Sequence, residues 1–472
     1  MNFLLLAILV PLLGALGLSA VGRSRFGSVA NSFVSIAGFI LTLAVWRSGQ
    51  VGPLYALFGV LSGFVGLMGA LADLLLVRAN PVGVSARGRR YDYTIFQIVL
   101  GLSLLGLYAD NIGLLWLALG GETITMALGM SLRRTPEALE AAWAYMLLNG
   151  VGLGLALFGS LLVYLAAGPS QGALVSGQGF TALSAPDLHF NKTWLSLGFV
   201  LIVFGYGAKA GLLPLRSWMS DSYAQGPVKQ VCFLQGLSSN VALLAILRFG
   251  HIVHANSGSA LPTELLLFIA IISLLFSAIA TARQSNVGRF FGFSALQQSA
   301  ITLFAFGIGG SLAIFAGLLQ MLLQTLLKSG LSILLASAFE GGKSSESFAA
   351  LRCLLPRHQG TYGVLGVAIF LMSGLPPSGL FVSEFMIIQQ TIRYNPWLCL
   401  PLSIGLFVGA LTALRRAGGL VLRRSPPKNA ERLNGSSLAT LAVFSLVFFM
   451  FLAFFMPLPL MHSLTQAAWA LQ

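Results

Sequence analysis

Five charged residues lie within long apolar runs of this sequence: Asp73, Glu122, Lys209, Lys328 and Glu384. An ammonium or carboxylate group at the centre of a hydrocarbon layer costs about 2.5 to 3.5 kcal/mol on insertion scales. Residues of this kind usually mark an ion path or a proton relay rather than a packing position. Asp73 is the weakest candidate, because it lies near the end of its apolar run and can reach the surface.

Long apolar segments must position these charges. Of the 472 residues, 57% are apolar and only 8% are charged, and the mean hydropathy is +0.87. This composition excludes a soluble domain. Apolar stretches of roughly 18 to 25 residues recur along the chain, each long enough to cross a hydrocarbon core as a helix. We count about fourteen of them, so the sequence predicts an all-α polytopic membrane protein.

Glycine and proline residues interrupt two of the predicted spans, the seventh and the twelfth, close to Lys209 and Glu384. Proline removes a helical hydrogen bond, and glycine frees the backbone. Both segments are therefore predicted to be discontinuous helices, whose free backbone groups must line a buried or hydrated cavity. Transporters build their sites in this way. The residues predicted to break the helices are Gly205, Gly207, Gly211, Pro214, Pro376 and Pro377.

The spacing of the two interruptions predicts an internal repeat. They lie five spans apart, and an odd offset reverses the direction of the chain across the membrane. We therefore expect an inverted repeat of two five-helix halves, spans 4–8 and 9–13. The predicted divisions are residues 1–92 for spans 1 to 3, 93–250 for the first repeat, 251–434 for the second repeat and 435–472 for span 14.

The net charge of +14 indicates orientation in the membrane rather than nucleic-acid binding. Of the 27 lysines and arginines, 21 fall in alternate loops, while the opposite loops and span ends hold only Arg47, Lys192, Arg248 and Arg393. The positive-inside rule places the larger set in the cytoplasm. Both termini are then expected on the non-cytoplasmic side of a cell membrane of the inner, plasma or thylakoid type. The two basic residues left over are Lys209 and Lys328.

The sequence predicts no cofactor, no metal site and no catalytic residue. Cys232, Cys353 and Cys399 are too scattered for a zinc site, an iron–sulfur cluster or a redox pair. The five histidines all fall in or beside loops, which disfavours a haem held between membrane helices. We expect the chain to move ions, as a non-catalytic subunit, rather than to transfer electrons.

Six ordered motifs resemble those of the antiporter-like membrane subunits of respiratory complex I and, more closely, of the F-type subunit of hydrogenase-4 and related group 4 membrane-bound hydrogenases. They are YADNIGLLWLAL, RRTPEALEAAWAYMLL, FGYGAKAGLLPLRSWMSDSYAQGP, SSNVALLAILRFG, LLKSGLSILL and SGLPPSGLFVSEFMI. The resemblance implies a heart-shaped inverted repeat with a polar axis along the membrane midplane. Lys209, Lys328 and Glu384 match the family residues that pass protonation changes along this axis.

The chain departs from the family pattern in its first half. The resemblance places the usual glutamate of span 5 at Gly120, and Glu122 follows two residues later. Because two residues turn a helix by about 200°, Glu122 is expected to face away from the site unless the helix shifts locally. Ala144 stands where the family has a lysine. Glu122 is therefore the weakest of the four predicted relay residues.

Three amides are predicted to support the axis. Gln298 and Gln324 replace family histidines, and a glutamine side chain can hold a water chain but carries no proton at neutral pH. Asn240 stands where some complex I members have lysine, which favours the hydrogenase-4 branch. Half of the expected relay is thereby weakened.

The leading interpretation is a proton-translocating, energy-coupling subunit of a complex I-like or hydrogenase-like respiratory complex. Its expected partners are other membrane subunits, a soluble redox or hydrogenase-like module, the lipid bilayer, and protons or Na⁺ as the transported ion. Three alternatives stay open: a subunit of a multisubunit Na⁺/H⁺ antiporter, the membrane partner of an inorganic-carbon (CO2/bicarbonate) accumulation complex, and a transport-inactive scaffold.

Overall fold

The computed structural model describes most of the chain, and its described part is helical. The described residues are 2–22, 26–79, 86–132, 134–167, 179–184, 190–225, 228–257, 260–338, 347–349, 359–421, 443–449, 452 and 455–470. Within these ranges the extended pairing is limited to two isolated bridges, Asn111 with Gly179 and Asn286 with Ser347. The all-α prediction is confirmed.

The helices follow one another through short connections. The first part of the chain forms α1 (Phe3–Val21), α2 (Gly27–Ser48), α3 (Pro53–Ala79), α4 (Ala86–Tyr108), α5 (Ile112–Ser131), α6 (Pro136–Ala166), the short α7 (Phe180–Leu183), α8 (Lys192–Lys209), α9 (Ser217–Gln225) and α10 (Val228–Ser257). The second part forms α11 (Leu261–Arg283), α12 (Val287–Ile308), α13 (Ser311–Ala338), α14 (Gln359–Leu371), α15 (Gly379–Tyr394), a 3₁₀ turn (Pro396–Leu398), α16 (Cys399–Val421) and α17 (Leu458–Ala470).

Eleven helices in the described ranges are long and apolar enough to cross a membrane, so the chain is a multi-pass membrane protein. The interrupted pairs α8–α9 and α14–α15 are not among these eleven. The predicted span 14, Leu438–Leu460, lies mostly outside the described residues. The total of about fourteen spans therefore stays a prediction.

The order of elements repeats along the chain. Three helices, an interrupted pair and one further helix occur first as α4 to α10 and again as α11 to α16. Gly211 and Gly374 have φ angles of +79° and +68°, in the left-handed region that glycine adopts without penalty. Each glycine is followed three residues later by a proline, Pro214 or Pro377, that is joined by a cis peptide bond. The two interruptions are thus built alike.

The first interruption lies later in the chain than the sequence suggested. Gly205 and Gly207 are helical residues inside α8, which continues to Lys209, so the prediction that they break the helix is wrong. Gly205 has a packing role instead, because a Cβ atom there would overlap the backbone of Gly152 and Ala156 on α6. Glycines that let two membrane helices approach closely are common at such crossings.

The centre of the molecule is formed by α10, α12 and α13. An 18-residue window of α12 is entirely buried, and 94% of the corresponding window of α13 is buried. Asn240 on α10 donates a hydrogen bond of 2.8 Å to Thr325 on α13, which joins the two halves through the core. The polar groups described next all lie around this centre.

Candidate functional site

The first polar site is built around Lys209, the last residue of α8. Its side chain is 1% exposed, so the ammonium does not reach the surface. Lys209 Nζ donates hydrogen bonds of 2.9 Å to Thr123 Oγ1 on α5 and of 2.9 Å to Tyr145 OH on α6. The ammonium is thereby held between three helices inside an apolar bundle, where an unpaired charge would be strongly unfavourable.

Glu122 supplies the carboxylate of this site. It is fully buried on α5, and its Oε1 accepts a hydrogen bond of 3.0 Å from Ser103 on α4. Its charge interacts with that of Lys209, and Ser238 on α10 lies close by. Among the described residues, neither Glu122 Oε2 nor Ser238 Oγ completes a hydrogen bond of good geometry. A water molecule would satisfy both atoms.

The orientation expected for Glu122 is wrong. The two positions do face different ways, as helical geometry requires, but Gly120 is the residue that faces outward. A Cβ atom at Gly120 would meet nothing within 4 Å, whereas Glu122 lies on the buried face of α5 with Leu115 and Met126. Glu122 therefore reaches Lys209 without any local shift of the helix.

Three residues of the first site were missed in the sequence: Ser103, Thr123 and Tyr145. Each is a polar side chain at a fully buried helical position. Ala144, where the family has a lysine, is only partly buried, and its neighbour Tyr145 provides the inward contact from α6. Their polarity in apolar spans was visible in the sequence, but their common direction was not.

The second polar site is built around Lys328, in the middle of the uninterrupted helix α13. Its Nζ donates a long hydrogen bond of 3.4 Å to Gln324 Oε1, one turn earlier. The lysine is partly buried, and it lines a cavity of about 400 Å³ together with Gln298, Gln324 and Tyr223. Both glutamines that the sequence singled out therefore share a cavity with the second lysine.

Glu384 reaches the same cavity through a chain of amides. Its side chain is 8% exposed, and its carboxylate accepts a hydrogen bond from Gln320 on α13. Gln320 in turn donates to Gln298 Oε1 on α12 and accepts from the Ser383 hydroxyl. Gln298 lines the cavity of Lys328. Gln320, which the sequence did not single out, is thus the link between Glu384 and the cavity.

The second interruption brings the backbone against Glu384. A Cβ atom at Gly374 would overlap the Glu384 carboxylate, so the absence of a side chain there lets the charge approach the break. Pro376 and Pro377 lie between α14 and α15, as predicted. Asp73 lies near the end of α3 and is partly buried.

The two sites contain groups that exchange protons and groups that only orient water. Lysine and glutamate side chains can bind or release a proton, whereas glutamine, serine and threonine side chains donate and accept hydrogen bonds without changing charge. In the described part of the chain, no group of three or more histidine, cysteine, aspartate or glutamate residues could hold a metal ion.

Comparison with known proteins gives consistent matches over most of the chain. Residues 109–412 match the family described as NADH:quinone oxidoreductase/Mrp antiporter, transmembrane. The chain is 33% identical over 425 residues to the hydrogenase-4 component F homolog of Methylacidiphilum infernorum, covering 88% of each chain. It is 26% identical over 428 residues to NADH-quinone oxidoreductase subunit N of Ectopseudomonas mendocina, covering 85% of this chain and 82% of the relative.

Solved structures share the fold. A chain of the archaeal membrane-bound sulfane sulfur reductase matches with a TM-score of 0.87 at 19% identity, covering 100% of this chain and 98% of that one. A chain of the Mrp complex from Dietzia sp. matches with a TM-score of 0.82 at 16% identity, covering 99% and 97%. A chain of respiratory complex I from Thermus thermophilus matches with a TM-score of 0.82 at 19% identity, covering 99% of both.

Proposed function

The chain belongs to the NADH:quinone oxidoreductase/Mrp antiporter membrane family, and from this premise we propose that it translocates protons through the sites of Lys209 and Lys328. The observation that carries the proposal is the complete burial of the Lys209 ammonium and the Glu122 carboxylate at one site. Burying two charges costs several kcal/mol per ion before their attraction is counted. A purely structural core would be better served by apolar side chains of similar volume.

The first site can exchange protons because its two charges depend on each other. While both are present, the carboxylate stabilises the ammonium across the bundle. A proton that arrives at Glu122 removes this stabilisation and favours release of a proton from Lys209. The unsatisfied Glu122 Oε2 and Ser238 Oγ offer a place for the water that would carry it. Each transfer therefore changes the electrostatic free energy of the partner.

The second site can pass protons between Lys328 and Glu384 through water that the amides hold. The cavity beside Lys328 has room for water, and its wall includes Gln298 and Gln324. Gln320 and Gln298 form a continuous hydrogen-bonded path from Glu384 to this wall. The amides orient water, while the lysine and the glutamate supply the groups that change charge.

The proposed division into residues 1–92, 93–250, 251–434 and 435–472 follows the repeat of elements. Both termini are proposed to lie on the non-cytoplasmic side of a cell membrane, because 21 of the 27 basic residues fall in the alternate loops. The relatives are named as a hydrogenase-4 component F homolog and as a subunit of NADH-quinone oxidoreductase. We propose that this chain likewise acts in a multisubunit assembly with a soluble redox or hydrogenase-like module.

The proposal is tested with Lys209→Ala, Lys328→Ala and Glu384→Gln, made one at a time in the native assembly. Proton movement into inverted membrane vesicles is followed with a pH-sensitive dye. Each change is expected to slow it about tenfold or more, because each removes a group that carries the proton. Lys192→Ala is the matched control, since Lys192 is an exposed lysine at the opposite end of the same helix, α8. Unaltered proton movement in all three variants, with the complex assembled, would reject transport and favour the scaffold alternative.

A further inference from the structure

Trp218, on the short helix α9, is 1% exposed and belongs to neither proposed relay. Its indole Nε1 donates a hydrogen bond of 3.0 Å to the carbonyl oxygen of Ala208, the residue before Lys209. The same carbonyl accepts a hydrogen bond of 3.0 Å from Gly211 N, at the interruption. The indole thus ties the end of α8 to the helix that follows the break.

The indole ring also contacts the phenol that holds Lys209. The rings of Trp218 and Tyr145 meet edge to face, with centroids 4.9 Å apart and an interplanar angle of 84°. Tyr145 OH accepts one of the two hydrogen bonds of the Lys209 ammonium. Trp218 therefore contacts both structures that fix the ammonium, namely the end of its own helix and one of its acceptors.

Helix α9 is itself held firmly by α12. A Cβ atom at Gly288 would overlap the backbone of Tyr223 and Ala224, so the two helices approach as closely as their backbones allow. At the exposed rim, Arg289 Nη2 lies 3.1 Å from Asp221 Oδ1. A helix fixed in this way can hold an indole in one orientation.

The second half lacks this arrangement at the equivalent place. When the interruptions are aligned on Gly211 and Gly374, Phe381 takes the position of Trp218. Phe381 is 37% exposed and stacks on Phe385 instead of facing the bundle. The residue that takes the position of Lys209 is Met372. The buried indole therefore occurs only in the half whose interrupted helix carries the lysine.

We propose that Trp218 is a positioning residue for Lys209, acting through Tyr145 and the Ala208 carbonyl. This inference rests on the proposed function of the first site. Hydrogen bonds weaken steeply with distance and angle, so a small rotation of Tyr145 would release the ammonium. Misplacement of a reacting group by about 1 Å can cost a hundredfold in rate.

The titratable groups around Lys209 are known element by element. Glu122 lies on α5, Tyr145 on α6 and Tyr206 on α8 itself, while α10 contributes the uncharged Ser238. On α9 the nearest charged group is Asp221 at the rim, which pairs with Arg289 of α12. A change at Trp218 alters none of these groups directly, so any effect on proton exchange must pass through the position of Tyr145 or of α8.

The test compares Trp218→Phe with Trp116→Phe in the assembled complex. Trp116 is the matched control, because its indole donates a hydrogen bond of 2.8 Å to the Leu153 carbonyl in the same half without contacting the Lys209 site. Trp218→Phe is expected to slow proton movement about fivefold, the equivalent of one hydrogen bond, and to displace its pH profile in the same direction as Tyr145→Phe. The double variant should add no further displacement, because both changes act on one contact.

Two results would overturn the inference: a pH profile for Trp218→Phe that coincides with that of Trp116→Phe, or additive displacements in the double variant. If Trp218→Phe reduces the amount of assembled complex, Trp218→Tyr is measured instead, with the same criteria. Lys209→Ala separates the two levels of the argument. Unchanged proton movement in Lys209→Ala rejects the proposed function of the first site, whereas a loss there with an undisplaced Trp218→Phe profile rejects only the positioning role.

Discussion

The two halves share an interrupted helix but place their charges differently. Aligned on Gly211 and Gly374, the halves put Met372 opposite Lys209 and Glu384 opposite Asp221. The first half keeps its ammonium on the interrupted helix and its carboxylate on α5. The second half keeps its carboxylate on the interrupted helix and its ammonium on α13. The repeat has therefore preserved a backbone break that can line a polar cavity, while the side chains beside it have changed.

The surroundings of the two lysines differ as well. Lys209 is 1% exposed and makes two hydrogen bonds of 2.9 Å, whereas Lys328 lines a cavity of about 400 Å³ and makes a bond of 3.4 Å to Gln324. The first ammonium is fixed by protein groups, and the second has space for water. The first half is thus suited to hold a proton in a defined place, and the second half to exchange one.

The largest difference between the halves is expected on removal of their carboxylates. Glu122→Leu leaves the buried ammonium of Lys209 without its counter-charge, and breaking a buried ion pair costs about 3 to 5 kcal/mol. Glu384→Leu removes the partner of the neutral amide of Gln320, at about 1 to 3 kcal/mol. Denaturant unfolding in micelles measures both. Equal losses would show that the Glu122 and Lys209 charges do not depend on each other.

The two glycines of the interruptions should differ in function more than in stability. Either Gly211→Ala or Gly374→Ala forces a side chain into the left-handed region, at about 1 to 2 kcal/mol. The new Cβ atom meets the flexible end of Met219 in the first case and the Glu384 carboxylate in the second. We expect Gly374→Ala to slow proton movement in vesicles about tenfold more than Gly211→Ala does. Similar rates would separate Glu384 from proton movement.

The contact between the halves is expected to have a smaller effect. Asn240→Leu removes the hydrogen bond to Thr325 across the core and should lower the free energy of unfolding by about 1 kcal/mol. Thr325→Val is the matched change on the other helix. The combined variant should lose no more than the larger single loss, because both remove the same bond. Fully additive losses would mean that this bond does not join the halves energetically.

The smallest effect is expected at the rim of α9. Asp221 and Arg289 are 43% and 51% exposed, and exposed ion pairs are worth about 0 to 1 kcal/mol. Asp221→Asn should therefore lower the stability by less than about 1 kcal/mol, with a difference that fades as salt is added. Unfolding at low and high ionic strength measures this. A salt-independent loss would indicate that Asp221 acts through packing rather than through charge.

Much of the fold followed from the sequence. Apolar runs of the right length predicted the membrane helices, since a helix satisfies its own backbone hydrogen bonds in hydrocarbon. Glycine and proline predicted both interruptions, although Gly205 and Gly207 proved to be packing residues of α8. Helix α9 was not predicted, because its sequence SWMSDSYAQ is short and polar and has the composition of a loop.

The sequence by itself also determined which charges matter. Lys209, Lys328 and Glu384 stand out wherever they point, because a charge in an apolar span is costly in any orientation. Only the tertiary structure decided which groups surround them. It turned Glu122 toward Lys209 and Gly120 outward, and it brought Tyr145, Trp218 and Gln320 to the sites. The physical reason is that a membrane helix is apolar toward both lipid and core, so its sequence carries little periodic signal for its inward face.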